Sequence, residues 1–327
     1  MPVLEVRAGA PAALRPLLER RLVVVTGKGG TGKTTVAAAL ALAAARRGRR
    51  VLVVETGRDE NVPRLLGRAG APVGHAGAPT PAGPFAMRMD PYQALAEYLN
   101  LQLRVPGVIT RLLRQEGFRG LLDAAPGWRE LVTLGKVWHL EQAREGERPR
   151  FDFLVVDAPA TGHGLTFLDV PRVVSSAVRS GPLQRHARWV EQLVRDPERT
   201  LLLPVSLAEE LPARETWELV ARLRDQLGVA LDRVIVNAMQ PAPFPPELPD
   251  LDRRLAALRT TPGPPPGTWA ACAAHLASRR ALNQHFCHEI DERTGLRVVE
   301  LPLLARGVRG PDDLAALAAH LFAGEAA

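Results

Sequence analysis

Short apolar runs alternate along the chain with longer segments of helical character. The first two runs, at residues 22–25 and 51–54, are rich in Leu and Val and predict buried β-strands. Between them lie a glycine-rich loop and a segment of strong helix formers, residues 34–45, which stops at basic residues and a glycine. This order predicts a strand–loop–helix–strand unit whose parallel strands are joined by a right-handed crossover.

Four later runs have the same pattern and predict further strands, at residues 153–156, 200–205, 234–236 and 298–301. Continuous apolar runs, rather than alternating ones, are typical of parallel strands that are covered by helices on both faces. We therefore expect an α/β fold with a doubly wound, mostly parallel sheet, in a single domain over residues 1–327.

Three stretches do not fit the alternation of strand and helix. Residues 92–139 have the pattern of several amphipathic helices, interrupted at Pro106 and Pro126, and predict a helical subdomain inserted at about 90–148. Its apolar residues are expected to form core, with an exposed groove for a partner as the alternative. Two segments are expected to be irregular loops: residues 67–84, which are rich in glycine, alanine and proline, and residues 241–267, in which prolines recur.

A phosphate-binding motif, G-x-x-x-x-G-K-[ST], occupies residues 27–34 between the first predicted strand and helix, which is the context that this motif requires. Its glycines allow backbone amides to surround the phosphates without side chains in the way. Lys33 is expected to neutralise phosphate charge, and the Thr34 hydroxyl to ligate Mg²⁺ at the positive end of the helix. The expected nucleotide-binding residues of the loop are Gly27, Lys28, Gly29, Gly30, Thr31, Gly32, Lys33, Thr34 and Thr35.

An acidic residue, Asp157, directly follows the four apolar residues of a predicted strand. Such a carboxylate is common and carries little information alone, but together with a phosphate-binding loop it is expected to hold Mg²⁺ through water. The sequence therefore predicts a site for ATP or ADP with Mg²⁺, to which Thr34 and Asp157 contribute the metal-binding oxygens.

Composition narrows the range of partners. The formal charge is +7, but the basic residues are spread along the chain rather than gathered into runs, so specific nucleic-acid binding is not expected. Cys272 and Cys287 lack C-x-x-C spacing, so no zinc is expected. Because no apolar stretch reaches about 18 residues and no signal-peptide pattern occurs, we expect a cytoplasmic protein that is not integral to a membrane.

The lysine that follows the first glycine of the loop narrows the class of ATPase. Residues 28–34 read KGGTGKT, and the extra lysine, Lys28, resembles the signature of the deviant Walker A group of P-loop ATPases. In that group this lysine reaches the nucleotide of the opposite protomer. The resemblance therefore implies a dimer with two composite sites, in which Lys28 and Lys33 both serve catalysis.

Several further segments resemble the family of arsenite-pump ATPases and tail-anchored-protein-targeting ATPases. Residues 157–163, DAPATGH, resemble its switch II, and residues 125–130, APGWRE, resemble an element of its helical subdomain. Asn237, Pro302 and Leu303 match the strand-end positions that contact adenine in that family. The pattern is closest to single-domain bacterial members, and it implies a homodimer, or a heterodimer with a paralogue, that couples ATP to a transport or protein-targeting partner.

The switch I segment departs from the family pattern. The family has T-D-P-A-H after the second strand, with an Asp that orients the attacking water, whereas Gly57 stands at that position here. Either Glu55 or Asp59 positions the water instead, or hydrolysis is weak and the protein acts mainly as a nucleotide-gated switch. The family's paired cysteines are also missing, so its zinc-linked dimerisation and thiolate binding of arsenite do not carry over.

An alternative within the deviant Walker A group is a partition or positioning ATPase of the ParA and MinD type, which binds DNA or a membrane. The C-terminal residues 312–327 argue against it, since they are short, include three acidic residues and have no basic face for anionic lipid. A reductase with an iron–sulfur cluster is excluded because the switch segments contain no cysteine.

Overall fold

The structure, a computed structural model, describes residues 17–57, 59–103, 109, 111–242 and 266–322, with the backbone alone at 103, 161–165 and 266–270. Its main feature is an eight-stranded sheet with the strand order β10-β9-β8-β1-β7-β2-β4-β3. Every pairing in this sheet is parallel except the one between β3 and β4. The strands of the sheet are β1 (Leu22–Gly27), β2 (Val51–Glu55), β3 (Ala78–Pro79), β4 (Phe85–Arg88), β7 (Phe153–Asp157), β8 (Thr200–Leu207), β9 (Arg233–Met239) and β10 (Arg297–Pro302).

Helices connect the strands and cover both faces of the sheet. The helices are α1 (Lys33–Arg46), α2 (Asn61–Leu65), α3 (Pro91–Leu103), α4 (Glu116–Ala124), α5 (Trp128–Gln142), α6 (Thr161–Ala177), α7 (Pro182–Arg195), α8 (Glu210–Arg222), α9 (Pro266–Thr294) and α10 (Pro311–Leu321). A 3₁₀ turn (Leu17–Glu19) precedes β1, a π-helical turn (Leu223–Leu227) continues α8, and β5 (Arg144–Glu145) and β6 (Arg148–Pro149) form a separate antiparallel ribbon. The expected α/β fold with a mostly parallel sheet is thereby confirmed.

The core lies in two layers, one on each face of the sheet. Alternate residues of β1 point to opposite faces, so Val23 and Val25 pack with α1 and α10, whereas Leu22 and Val24 pack with α5, α7 and α8. Helix α1 has no polar face over residues 36–44, and all nine of these residues are buried. Its many alanines have short side chains, which suits a helix that is enclosed by sheet and neighbouring helices.

The six strands predicted from apolar runs are all present, but sequence reasoning missed a seventh parallel strand. β4 has only four residues, ends in a charged arginine and follows a segment rich in Gly and Pro, so its pattern is too short to identify. It pairs with β2 and also with β3, which lies inside the stretch at 67–84 that was expected to be irregular. That expectation was therefore wrong for Ala78–Pro79, which forms a short edge strand.

The helical region between β4 and β7 contains α3, α4 and α5. Helix α5 buries Leu134 and Val137 against the sheet, whereas every described side chain of α4 lies at least partly in solvent. Of the loop expected at 241–267, residues 243–265 lie outside the described residues, and its last two residues belong to α9, contrary to expectation. Within the described part of the chain, no helix is both long enough and apolar enough to cross a bilayer.

Candidate functional site

The phosphate-binding loop lies at the carboxyl end of β1, where parallel α/β sheets bind ligands. Two of its glycines are required by geometry. Gly27 has φ of +140°, and a Cβ there would lie 2.3 Å from the carbonyl oxygen of Val205 on β8. Gly32 has φ of +90°, and its Cβ would lie 2.1 Å from Nδ2 of Asn237. The loop therefore passes so close to β8 and β9 that larger residues would displace it.

The start of α1 presents a positive surface inside this loop. Gly32 is the N-terminal cap of the helix, and no side chain in the described structure caps the amides of its first turn. Those amides and the helix dipole favour an anion at this end. Lys33 is buried at the same place, where its Nζ donates a 2.8 Å hydrogen bond to the carbonyl oxygen of Lys28, and burial lowers the pKa of its ammonium group.

Asp157, at the end of β7, lies beside the first turn of α1. The Thr34 hydroxyl donates a 2.6 Å hydrogen bond to Oδ2 of Asp157, so the two residues that were expected to bind magnesium are in contact. The other carboxylate oxygen, Oδ1, is buried and has no hydrogen-bond partner among the described residues. Burial raises the pKa of Asp157 to about 6, although the Thr34 hydrogen bond and the charge of Lys33 oppose that shift.

An unpartnered buried carboxylate oxygen next to a hydroxyl group fits a divalent cation. Magnesium binds through oxygen ligands and usually takes only one or two from protein, with phosphates and water supplying the rest. In the described part of the chain, no group of three or more His, Cys, Asp or Glu residues is arranged for a metal. The oxygens of Thr34 and Asp157 fit the one or two protein ligands that a magnesium ion takes.

Lys28 has a partner that sequence reasoning did not assign. Its ammonium group forms an ion pair with Oε1 of Glu215 on α8 of the same chain, and both side chains are about one-third exposed. The second oxygen, Oε2 of Glu215, is buried without a hydrogen-bond partner in the part of the chain that the structure describes. Glu215 lies 187 positions from Lys28 in the chain, so spacing alone could not place it against the loop.

Asn237, at the end of β9, connects the loop to the neighbouring strand ends. Its Nδ2 donates a 2.9 Å hydrogen bond to the carbonyl oxygen of Thr31. The next residue, Ala238, has φ of +57°, an uncommon conformation for a residue with a side chain. On β10, Pro302 pairs with Met239, and the Leu303 amide donates a 2.8 Å hydrogen bond to the Met239 carbonyl oxygen. The three positions expected at the adenine therefore lie on adjacent strand ends beside the loop.

The two candidates for positioning water are placed differently. Glu55 ends β2 in register with Asp157 on β7, and its two oxygens accept hydrogen bonds of 3.0 and 3.1 Å from the amides of Asn61 and Val62 at the start of α2. Burial raises the pKa of Glu55 to about 7, against these two hydrogen bonds. Asp59 is exposed and lines a separate open cleft of about 830 Å³. The structure therefore brings Glu55 to the loop side of the sheet, with both oxygens already engaged.

The structure shows less about the switch II segment and the two cysteines. The side chains of Thr161 and His163, in the switch II segment, lie outside the described residues. Both cysteines lie on α9, where Cys272 is exposed and Cys287 is buried 3.6 Å from Oε1 of Glu300.

Comparison with known proteins places this site in a family. The sequence model of the anion-transporting ATPase family matches residues 20–186, about half of the chain, including the loop and Asp157. The chain is 35% identical over 232 residues to ATPase BagA of Mycobacterium tuberculosis (strain ATCC 25618 / H37Rv), which covers 69% of this chain and 67% of that protein.

More distant relatives extend the match. The arsenical pump-driving ATPase of Escherichia coli is 29% identical over 239 residues, covering 66% of this chain and 39% of that protein. ATPase GET3 of Malassezia globosa is 23% identical over 354 aligned positions, covering 95% of each chain. The resemblance drawn from the loop, switch II and strand-end residues is thereby confirmed, and the chain belongs to the anion-transporting ATPase family.

Proposed function

We propose that this protein binds ATP with Mg²⁺ and hydrolyses it as a dimer, and that it couples its nucleotide state to a transport or protein-targeting partner. The observation that carries the proposal is the contact between Thr34 and Asp157 under the phosphate-binding loop, with a buried carboxylate oxygen left for a cation. Residues 123 positions apart in the chain thus meet in the arrangement that phosphoryl transfer requires.

The residues of the loop have distinct roles in this proposal. The amides at the start of α1 and the ammonium group of Lys33 bind the phosphates, so Lys33 exchanges its hydrogen bond to the Lys28 carbonyl oxygen for a phosphate oxygen. Thr34 and Asp157 hold Mg²⁺, which neutralises charge that develops on the phosphates when it is bound. The adenine base of ATP contacts Asn237, Pro302 and Leu303.

Dimerisation is proposed from Lys28. Its side chain is part of the loop but forms an ion pair with α8 instead of turning inward to the site that Lys33 serves. A lysine at the edge of the loop suits a role in the neighbouring protomer's site, as the family resemblance implies. The partner is either a second copy of this chain or a paralogue.

Coupling to a partner is proposed through the helices. Helix α6 begins four residues after Asp157 and packs against α5 and α7, so a change at the end of β7 has a short route to the helical region. Order–disorder changes that start at the γ-phosphate are a common way for nucleotide enzymes to move such segments. The family match does not favour the alternative of a DNA- or membrane-bound partition ATPase.

Two residues, Glu55 and Asp59, remain candidates for positioning the attacking water. Glu55 is close to Asp157 in the sheet but is buried, with each oxygen accepting an amide of α2, whereas Asp59 is exposed but lies in another cleft. Slow hydrolysis is therefore part of the proposal. Single-turnover hydrolysis by Glu55→Gln and Asp59→Asn, measured separately, identifies which carboxylate acts.

The proposal is tested by binding of a fluorescent ATP analogue to the wild-type protein and to Lys33→Ala. We expect saturable binding by the wild type and a loss of at least tenfold in affinity for the variant, because a buried charge-assisted contact to phosphate contributes about 1.5–3 kcal/mol. Lys136→Ala, which removes a lysine far from the loop in sequence, is the matched control. Equal binding by Lys33→Ala and the wild type would contradict the proposed function.

A further inference from the structure

Helices α3, α5 and α7 enclose a cavity of about 430 Å³ that belongs to no part of the nucleotide site. This volume is within the range of about 300–1,000 Å³ that is typical of small-molecule pockets. Apolar side chains provide most of its surface, among them Ala94 on α3, Leu131 and Val132 on α5, and Val190 on α7. The cavity opens to solvent beside the exposed residues Leu101 and Leu183.

A lysine in this cavity is unusual for the chain. The sequence contains 42 lysine and arginine residues, of which only three, Lys28, Lys33 and Lys136, are lysine. Two belong to the phosphate-binding loop, and the third, Lys136, lines the cavity. Lys136 is 16% exposed, and its Nζ lies 2.5 Å from Oε2 of Glu97. A compact ammonium group fits this confined position better than a planar guanidinium group.

Glu97 and Lys136 form an ion pair at the cavity. Burial opposes ionisation of Glu97, but the contact with His75 and the hydrogen bond from Lys136 outweigh it and lower the pKa of Glu97 to about 2. Burial is the main cause that lowers the pKa of His139 and of His186, so both imidazoles are neutral at pH 7. The charge of Lys136 near His139 and that of Arg185 near His186 act in the same direction.

Polar residues with unused hydrogen-bonding capacity line this space. Asn100 is one of them, and its side-chain oxygen, Oδ1, is buried without a partner in the described structure, so a rotation of the side chain toward the cavity lets it accept a hydrogen bond. His139 and His186 each offer one donor and one acceptor when neutral. An uncompensated buried amide oxygen is unfavourable, and a ligand with a donor group removes that penalty.

Two rings of an aromatic cluster, those of Tyr98 and His186, line the cavity. His186 contacts Tyr98, Trp138 and Trp189 at centroid distances of 4.9–5.3 Å, and the two tryptophans are stacked at 5.1 Å. Rings in this arrangement suit a flat or aliphatic body rather than a hydrated ion. Trp189 is 42% exposed, so the cluster reaches the protein surface.

We propose that this cavity binds an uncharged, amphipathic small molecule, whose apolar body contacts α5 and α7 and whose amino, amide or hydroxyl donor binds Oδ1 of Asn100. Glu97 and Lys136 pair with each other and so offer no unpaired charge to an organic ion.

The probe for this site is dansylamide, which is uncharged and carries a naphthalene body and a sulfonamide donor. Titration into the full-length protein, with excitation of tryptophan, reports binding through energy transfer from Trp138 and Trp189 to the dansyl group. We expect saturable binding with one site per chain. Absence of saturable binding up to the solubility limit of the probe would overturn the proposal.

Gly135 allows the cavity to be filled without disturbing the fold. It lies inside α5 and lines the cavity, and a Cβ added there would meet no described atom within 4 Å. Gly135→Leu is expected to weaken dansylamide binding at least tenfold while binding of the ATP analogue stays unchanged. Gly120→Leu in α4 is the matched control, because it is also helical and open but does not line the cavity.

Asn100→Ala tests the polar contact separately. It is expected to weaken dansylamide binding about three- to tenfold, which corresponds to one hydrogen bond of about 0.5–1.5 kcal/mol. N-methylated dansylamide has fewer donors. It is expected to bind the wild type more weakly than dansylamide does, whereas Asn100→Ala is expected to bind the two probes with equal affinity. Dansylamide binding that is unchanged by both Gly135→Leu and Asn100→Ala would show that the probe binds elsewhere and would overturn the proposal.

Discussion

At the scale of single residues, the loop depends on contacts that link distant parts of the sequence. Gly32 illustrates this. The motif requires a glycine at this position, and the structure shows why: the side-chain amide of Asn237 occupies the space that a Cβ would need. Sequence reasoning proposed Asn237 only for contact with the base. Its hydrogen bond to the carbonyl oxygen of Thr31 depends on the pairing of β8 with β9, which no local pattern encodes.

We predict that Gly32→Ala destabilises the protein by about 1–3 kcal/mol, since it combines a positive φ with a Cβ 2.1 Å from Nδ2 of Asn237. Urea denaturation measures the free energy of unfolding. Gly29→Ala is the control, because φ is ordinary there and the nearest atom to its Cβ, on Ala160, is 3.7 Å away. Equal stability of the two variants would show that the Asn237 contact does not constrain the loop.

A second prediction concerns the ion pair between Lys28 and Glu215. If Lys28 serves the neighbouring protomer, this contact has to break when two chains close around ATP, so Glu215→Gln is expected to promote ATP-dependent pairing. An ion pair whose side chains are about one-third exposed contributes up to about 1 kcal/mol, which corresponds to a shift of up to about fivefold in the ATP concentration for half-maximal dimer. Analytical ultracentrifugation over an ATP series measures this shift.

Glu218→Gln, on the same helix, provides the control because Glu218 pairs with Arg214 rather than with the loop. Lys28→Ala is expected to bind nucleotide but to lose hydrolysis, and in that background Glu215→Gln should have no further effect. An equal shift with and without Lys28 would disprove the link between the two residues.

At the scale of elements, the accuracy of sequence reasoning followed the length and contrast of each pattern. β1, β2, β7 and β8 were found because apolar β-branched or leucine-rich runs stand between polar segments. β4 was missed because only two of its four residues are buried, and its place beside β2 is fixed by pairing rather than by propensity. The cavity could not be predicted from the sequence for a similar reason. It arises from the packing of three helices, and the pattern of each helix alone does not indicate a cavity.

Helix α9 gives a prediction at this scale, because its two cysteines lie in different environments. Burial, together with the charge of Glu300, raises the pKa of the Cys287 thiol to about 12, whereas Cys272 is exposed. Since the thiolate is the reactive form, Ellman's reagent at pH 8 is expected to modify one thiol quickly and Cys287 only on unfolding. Cys272→Ser should remove the fast phase, and a fast phase that persists would show that α9 does not shield Cys287.

At the scale of the whole molecule, the proposed nucleotide site joins the ends of five strands, β1, β2, β7, β9 and β10, and the helix that follows β1. Ligand binding to such a site stabilises the entire fold, by about 2.7 kcal/mol when the free ligand is at 100 times its Kd. Because two strands of the site come from the first 60 residues and three from beyond residue 150, neither part is expected to bind nucleotide alone.

We predict that ATP with Mg²⁺ raises the melting temperature more than ATP with EDTA does, because Thr34 and Asp157 take part only through the cation. In Asp157→Asn the two melting temperatures are expected to be nearly equal, while ATP without metal still stabilises the protein through Lys33. Differential scanning fluorimetry measures both values. A full Mg²⁺-dependent increase in Asp157→Asn would assign the cation to other ligands.

Helix α1, with nine consecutive buried residues, also bears on how the protein moves. A helix enclosed on every side cannot shift by itself, so its amide protons should exchange with deuterium only when the whole domain unfolds. In the proposed function, the phosphates therefore bind at the start of a helix whose next residues are enclosed. Any displacement that ATP causes has to appear in the segments around α1. Deuterium uptake in those segments should therefore be compared with the uptake in α1.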